Sequence, residues 1–210
     1  MASEVGICNL ALARLGRKVI TSIDDPTTPV EDLCALHYST TRRALLRAYI
    51  FNFSKKYAQL TVDAAVTPAF GYASAFKLPN DFIRLLALGD VTTDADVPAS
   101  RYDISDGYIY SDWEDDTDTI DIQYVMDATT VGKWDALFVK LMRLELAKDM
   151  AYAFTLKPSM VIALDNELAD VRLQAAAVAG QEKPPRRIER SKLLAKRRLG
   201  GGRDTTRWSS

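Results

Sequence analysis

The chain has 210 residues, 48% of them hydrophobic and 26% charged, with a formal net charge of −1. That is enough for one domain with an appendage, and no apolar run reaches the length of a membrane span. Near-neutrality excludes nucleic-acid binding through bulk basicity but hides an asymmetry: residues 181–210 hold ten Lys/Arg against three acids, and residues 1–180 hold seventeen against twenty-five.

The opening, MASEVGICNLALARLG, lacks the early positive charge and apolar core of a signal peptide. Ser3 is a good helix N-cap, Val5, Cys8, Leu12 and Leu15 make one apolar stripe, and Gly16 is a natural stop. Ile20 and Ile23 plug the following loop, which turns at Asp24-Asp25-Pro26. A second helix opens at Thr28 with Pro29 at its first position and Glu31 placed for a capping box, and runs to about Tyr49. Val30, Leu33, Leu36, His37, Ala44 and Leu45 are its expected buried side. Cys8 and Cys34, both on apolar helical faces, read as buried thiols of a reducing compartment.

The period then changes. Residues 51–61 read as extended, Ser74–Leu78 as a short strand, Pro79-Asn80-Asp81 as a break, and Ile83–Leu88 as a second strand. Ser105-Asp106-Gly107 between Tyr102–Ile104 and Tyr108–Tyr110 signals a hairpin. Thr119–Val125 alternates, with Ile120, Ile122 and Tyr124 on one face. Helices return over about Lys133–Thr155 and from Pro158 to Gly180. The expected fold class is α+β, mainly α. It comprises a four-helix bundle from residues 1–50 and 131–180, an inserted antiparallel β region over 51–130, and an extended, flexible basic C-terminal arm over 181–210.

Reactive groups are sparse. The single histidine, His37, sits inside a helix without a nucleophile motif, and Gly200-Gly201-Gly202 follows no strand and opens no helix. The acids of Asp112-Trp113-Glu114-Asp115-Asp116-Thr117-Asp118 are similar to a calcium loop, but Thr117 stands where glycine is required and Gln123 where the closing Glu belongs. No catalytic residue, metal or cofactor is therefore expected. Asp90 to Asp127 carries twelve acids and one Arg. Its tip, Asp112, Glu114, Asp115, Asp116 and Asp118, either repels phosphates along a DNA passage or simply faces solvent. The arm presents Arg186, Arg187, Arg190, Lys192, Lys196, Arg197, Arg198, Arg203 and Trp208, with Ile188, Leu193, Leu194 and Leu199 spaced for a short amphipathic helix. Basic residues interleaved with apolar ones favour docking on a protein over plain phosphate binding.

Several stretches, taken in order, resemble the head-to-tail adaptors of tailed bacteriophages, in particular the tail tubular protein A kind of short-tailed phages. They are Leu15-Gly16, Asp24-Asp25-Pro26, the aromatic Tyr49-Ile50-Phe51-Asn52-Phe53, and Phe76, Leu78, Pro79, Asp81, Phe82 and Arg84 of AFKLPNDFIRLLAL. The tryptophan usual before the Phe pair is absent. The likeness spans roughly residues 3–180. It implies a structural, non-enzymatic protein forming a dodecameric ring between the portal protein and the tail nozzle or tube, with DNA passing through the centre without specific binding. It further implies a place at the head–tail junction of the virion, assembly in the host cytoplasm, and a C-terminal extension that docks on the portal. Peptidoglycan hydrolysis credited to some members is not carried over, because no pair of carboxylates is placed for it. The alternatives are a nucleic-acid-binding protein using its arm, and a virion cell-wall hydrolase.

Overall fold

The structure is a computed structural model and describes residues 3–68, 70–89, 102–112, 118–154 and 158–181. Helix α1 spans Glu4–Arg14. The Ser3 hydroxyl accepts from the Gly6 N–H at 3.0 Å. Its end is a Schellman motif: Gly16, at φ +65°, donates to the Ala13 carbonyl, and Arg17 donates to that of Leu12. Asn9 fixes the loop beyond, accepting from the Ile20 N–H at 2.7 Å and donating to its carbonyl at 3.1 Å.

Helix α2 spans Pro29–Ala48 and starts with the expected capping box. Glu31 does more than cap. One carboxylate oxygen accepts from the Thr21 N–H and hydroxyl, both at 3.2 Å, and the other from Thr27 and Thr28 at 2.9–3.2 Å. The bonds from the Thr27 amide and hydroxyl, then those from Thr21 and Thr28, overcome burial and pull the carboxyl from an ordinary 4.5 to about 2. A folded value below the unfolded one adds stability that is present above pH 4.5 and is lost as pH falls from there towards 2. Glu31→Gln should therefore destabilise the protein at neutral pH, with the gap to wild type closing through that window. Urea titrations at a series of pH values check this, and a gap independent of pH would contradict it.

The buried side of α2 differs from the expected one. Cys34, Tyr38, Thr41, Arg42, Leu45 and Leu46 face inward, whereas Leu36 is 67% exposed, Ala44 is exposed and His37 is half-buried. The reason is polar: Thr41 donates to Asp149 at 2.9 Å and Arg42 clasps Asp127 at 2.9 and 3.2 Å. Residues that hydrophobic periodicity assigns to solvent are buried because their partners wait elsewhere in the chain.

The strands are β1 (Lys55–Thr61), β2 (Ser74–Lys77), β3 (Phe82–Leu88), β4 (Tyr102–Ser105), β5 (Tyr108–Ser111) and β6 (Thr119–Met126). They form two three-stranded antiparallel sheets, ordered β1-β6-β3 and β2-β5-β4. One bridge between Val62 and Phe76 links them. As the alternation implied, Ile120, Ile122 and Tyr124 share a face, and they close a small core with Leu60, Phe76 and Ile109.

Helices α3 (Ala136–Phe154) and α4 (Pro158–Gln181) complete the described fold. The expected four-helix bundle with an inserted β region is not what forms. The fold is mixed, with four helices and two sheets among the described residues. Helix α3 is a hub on which α1, α2 and α4 each pack, and α2 also lies against β3 and β6. Ile83 of β3 and Val125 of β6 sit in the same core as Leu141, Leu144 and Met150 of α3. The helices therefore need not close on one another, because the β1-β6-β3 sheet supplies part of their apolar cover.

Candidate interaction surfaces around the helix–sheet seam

The side chains where helices meet sheet are built by three stretches brought together from distant places in the chain. After α2, residues Asn52–Ser54 make one 3-10 turn that sends Phe51 and Phe53 inward. Both rings pack on Phe138 of α3, with centroids 5.2 and 5.1 Å away and near edge-on. Trp134 meets the same ring edge-on at 4.9 Å, stacks near Tyr38 at 6.4 Å, and donates its Nε1–H to the Ala128 carbonyl at 3.0 Å. Phe51 and Phe53, two of the aromatics in the stretch that resembles phage adaptors, thus anchor the core; the sequence alone had placed them in extended structure.

Two charged groups finish the seam. Arg42 bridges α2 to Asp127, just past β6, and its guanidinium lies 5.9 Å from the Tyr38 ring. Asp81 accepts from the Tyr124 hydroxyl at 2.9 Å and pairs with Lys56 at 2.9 Å, while its own carbonyl accepts from the Asp127 N–H at 2.7 Å. Burial opposes ionisation of Asp81, but the Lys56 ammonium and the Tyr124 hydroxyl outweigh it and hold the carboxyl below its usual range. Burial and the bond to Asp81 push the Tyr124 phenol up.

Asp81 and Asp127 also line an open groove of about 450 Å³ with Phe53, Met126, Thr130 and Lys133. A glycosidic hydrolase needs one carboxyl held protonated near neutral pH beside a second that is ionised. Asp81 and Glu31 both shift downward, the wrong direction for a general acid, and Asp127 is engaged by Arg42. Among the described residues no group of three or more His, Cys, Asp and Glu is placed to hold a metal ion, and no helix is long and apolar enough to cross a membrane. Cys8 and Cys34 are fully buried; the neighbouring Cys34 thiol and burial keep the Cys8 thiol protonated.

The sequence-predicted surfaces are only partly covered by the structure. Arg186, Arg187, Arg190, Lys192, Lys196, Arg197, Arg198, Arg203 and Trp208 lie outside the described residues, as do Glu114, Asp115 and Asp116. Asp112 and Asp118 flank that segment at the ends of β5 and β6. Asp118 is exposed, at φ +51°, and its carbonyl accepts from the Val62 N–H.

Helices α3 and α4 differ in what they leave uncovered. Helix α3 buries most of its apolar side chains within its own subunit, so it offers little to a neighbour. Helix α4 does otherwise. Its inner stripe, Val161, Leu164, Leu168, Val171 and Ala175, is buried, and ion pairs from Arg14 to Glu167, Lys148 to Asp165 and Arg172 to Glu145 staple it to α1 and α3. Its outer side still shows Ile162 at 60% and Leu173 at 77% exposure, with Ala169, Ala176 and Ala177 exposed between and beyond them. Compared with protein-family models and with curated proteins, the chain matches none.

Proposed function

We propose that this chain is a structural head-to-tail adaptor of a tailed bacteriophage, a ring-forming piece between portal and tail through which DNA passes. The observation that carries this reading is the ordered series of stretches that resemble that family, together with the work those residues do. Gly16 ends α1, Phe51 and Phe53 anchor α3, and Phe76 closes the small core. Asp81 ties β1 to β6 through Lys56 and Tyr124, and the Arg84 side chain donates to the Arg47 carbonyl at the end of α2. These are the tasks of a rigid coupling piece, and the carboxylates at the seam are occupied in holding it together.

The charge division supports the same reading. An acidic body repels DNA that must slide past, and a basic, partly apolar terminus suits an acidic groove on a partner protein.

Truncation after Gly180 tests it, since all the candidate arm residues lie beyond that point. The shortened chain is expected to keep its helical circular dichroism and its melting transition, yet to fail to bind portal-bearing particles in a co-sedimentation assay. Electron microscopy of the full chain on such particles should show a ring below the portal. Normal docking by the shortened chain removes the arm's role, and absence of docking by the full chain removes the adaptor reading.

A further inference from the structure

The turn between β4 and β5, Ser105–Gly107, and the second half of α2 enclose an open groove of about 490 Å³. Arg43 and Arg47, one turn apart on the exposed side of α2, form its helix wall. Leu78, Phe82 and Ile104 form its sheet wall, and Asp106 is the one acid on the lining among the described residues.

The cations here are under-compensated. Arg47 donates to the Ile83 carbonyl at 3.0 Å and Arg84 to the Arg47 carbonyl at 3.3 Å, and neither is paired with a carboxylate among the described residues. Arg43 lies 3.9 Å from an Asp127 oxygen that Arg42 already holds at 3.2 Å. Arg84 has a local task, since a cation suits the carbonyl end of a helix. Arg47 also uses one donor on the Ile83 carbonyl and Arg43 shares Asp127 with Arg42, so neither guanidinium has a carboxylate of its own among the described residues. Guanidinium forks held on a rigid helix beside an apolar wall fit carboxylates flanking a large apolar or aromatic anchor.

One stretch of this chain has that chemistry: Asp112-Trp113-Glu114-Asp115-Asp116-Thr117-Asp118. The basic C-terminal arm is excluded by charge. The subunit's own copy is excluded by distance. Met126, the end of β6, pairs with Phe82 at the groove, and at ~3.3 Å per residue Asp118 lies about 26 Å back along β6, while Asp112 lies about 16 Å from Gly107 along β5. A stretch tied at both Asp112 and Asp118 reaches at most about 10 Å beyond those anchors. We infer that the Arg43/Arg47 groove receives the acidic, Trp113-bearing segment 112–118 of a second copy of this chain. Donor and acceptor are then different faces, so copies join head to tail, in a ring if the rotation closes and in a string if it does not. The contact rests on the ring reading above only for that closure.

A labelled peptide of residues 111–119 titrated into the full chain, followed by fluorescence anisotropy, tests the groove directly. Binding should weaken with salt and fall about tenfold or more in Arg43→Glu/Arg47→Glu, with Arg43→Gln/Arg47→Gln in between. Both arginines project from the exposed side of α2, and unchanged circular dichroism confirms folding. Equal peptide binding by the Glu variant, or displacement of the peptide by duplex DNA at lower concentration, overturns the inference. In analytical ultracentrifugation that variant and Trp113→Ala/Asp115→Asn/Asp116→Asn, whose neutral segment cannot pair with the new glutamates, should each fail to self-associate, while their mixture gives heterodimers and nothing larger. Heterodimers absent from the mixture, or self-association by either variant alone, also overturn it. The adaptor reading fails separately, when peptide binding is intact but no portal-bearing particle is bound.

Discussion

Phe138→Ala should cost about 4 kcal/mol of folding stability, the middle of the range for emptying a buried aromatic site. Phe138 is fully buried, and three rings, Phe51, Phe53 and Trp134, converge on it with centroids within 5.2 Å. These neighbours come from two connections: the one between α2 and β1, which carries both phenylalanines, and the entry to α3. The cavity cannot easily collapse, because each ring is held by its own backbone and Trp134 also by its bond to Ala128. For a chain of this size the melting temperature should fall by roughly 8–16 °C. Calorimetry and urea titration measure it, and a loss below about 1 kcal/mol would mean that the rings do not form the joint described.

Removing one partner of the Arg42–Asp127 pair should cost about 3 kcal/mol. The two side chains are only 10% and 17% exposed, so either one left alone is a largely desolvated charge. The more exposed Lys56–Asp81 pair, at 49% and 31%, should contribute far less, because solvent screens it. The buried pair joins α2 to the end of β6, so its loss should loosen the seam selectively. In hydrogen exchange, amides of β3 and β6 are expected to lose protection before those of α3. Replacing both partners, as Arg42→Met with Asp127→Leu, should recover most of the loss, and a double-mutant cycle in urea gives the coupling. Additive single effects would show that the pair makes no joint contribution.

Local signals in the chain match the structure where the physics is local. The caps of α1 and α2, the stop at Gly16, the Ser105–Gly107 hairpin and the alternation of β6 all came from residues within a few positions of one another. The buried face of α2 was misread at Leu36 and Ala44 because Thr41 and Arg42 are polar, and only Asp149 and Asp127, about a hundred positions later, make their burial tolerable. The Arg43/Arg47 groove left no sequence signal at all, since two arginines on a helix look like a solvated surface until a hairpin is laid against them.

By itself the sequence determined which segments become helices and strands, which side of β6 turns inward, and the division into an acidic body and a basic terminus. Capping, turn geometry, period and charge all act over short separations or by simple addition. Only the tertiary structure decided that α3 is a hub and not one of four equal helices, that the strands split into two sheets, and that one sheet shares the helical core. An apolar stripe records that a surface must be covered, not what covers it. The choice between a fourth helix and a sheet face is made by the packing of side chains far apart along the chain.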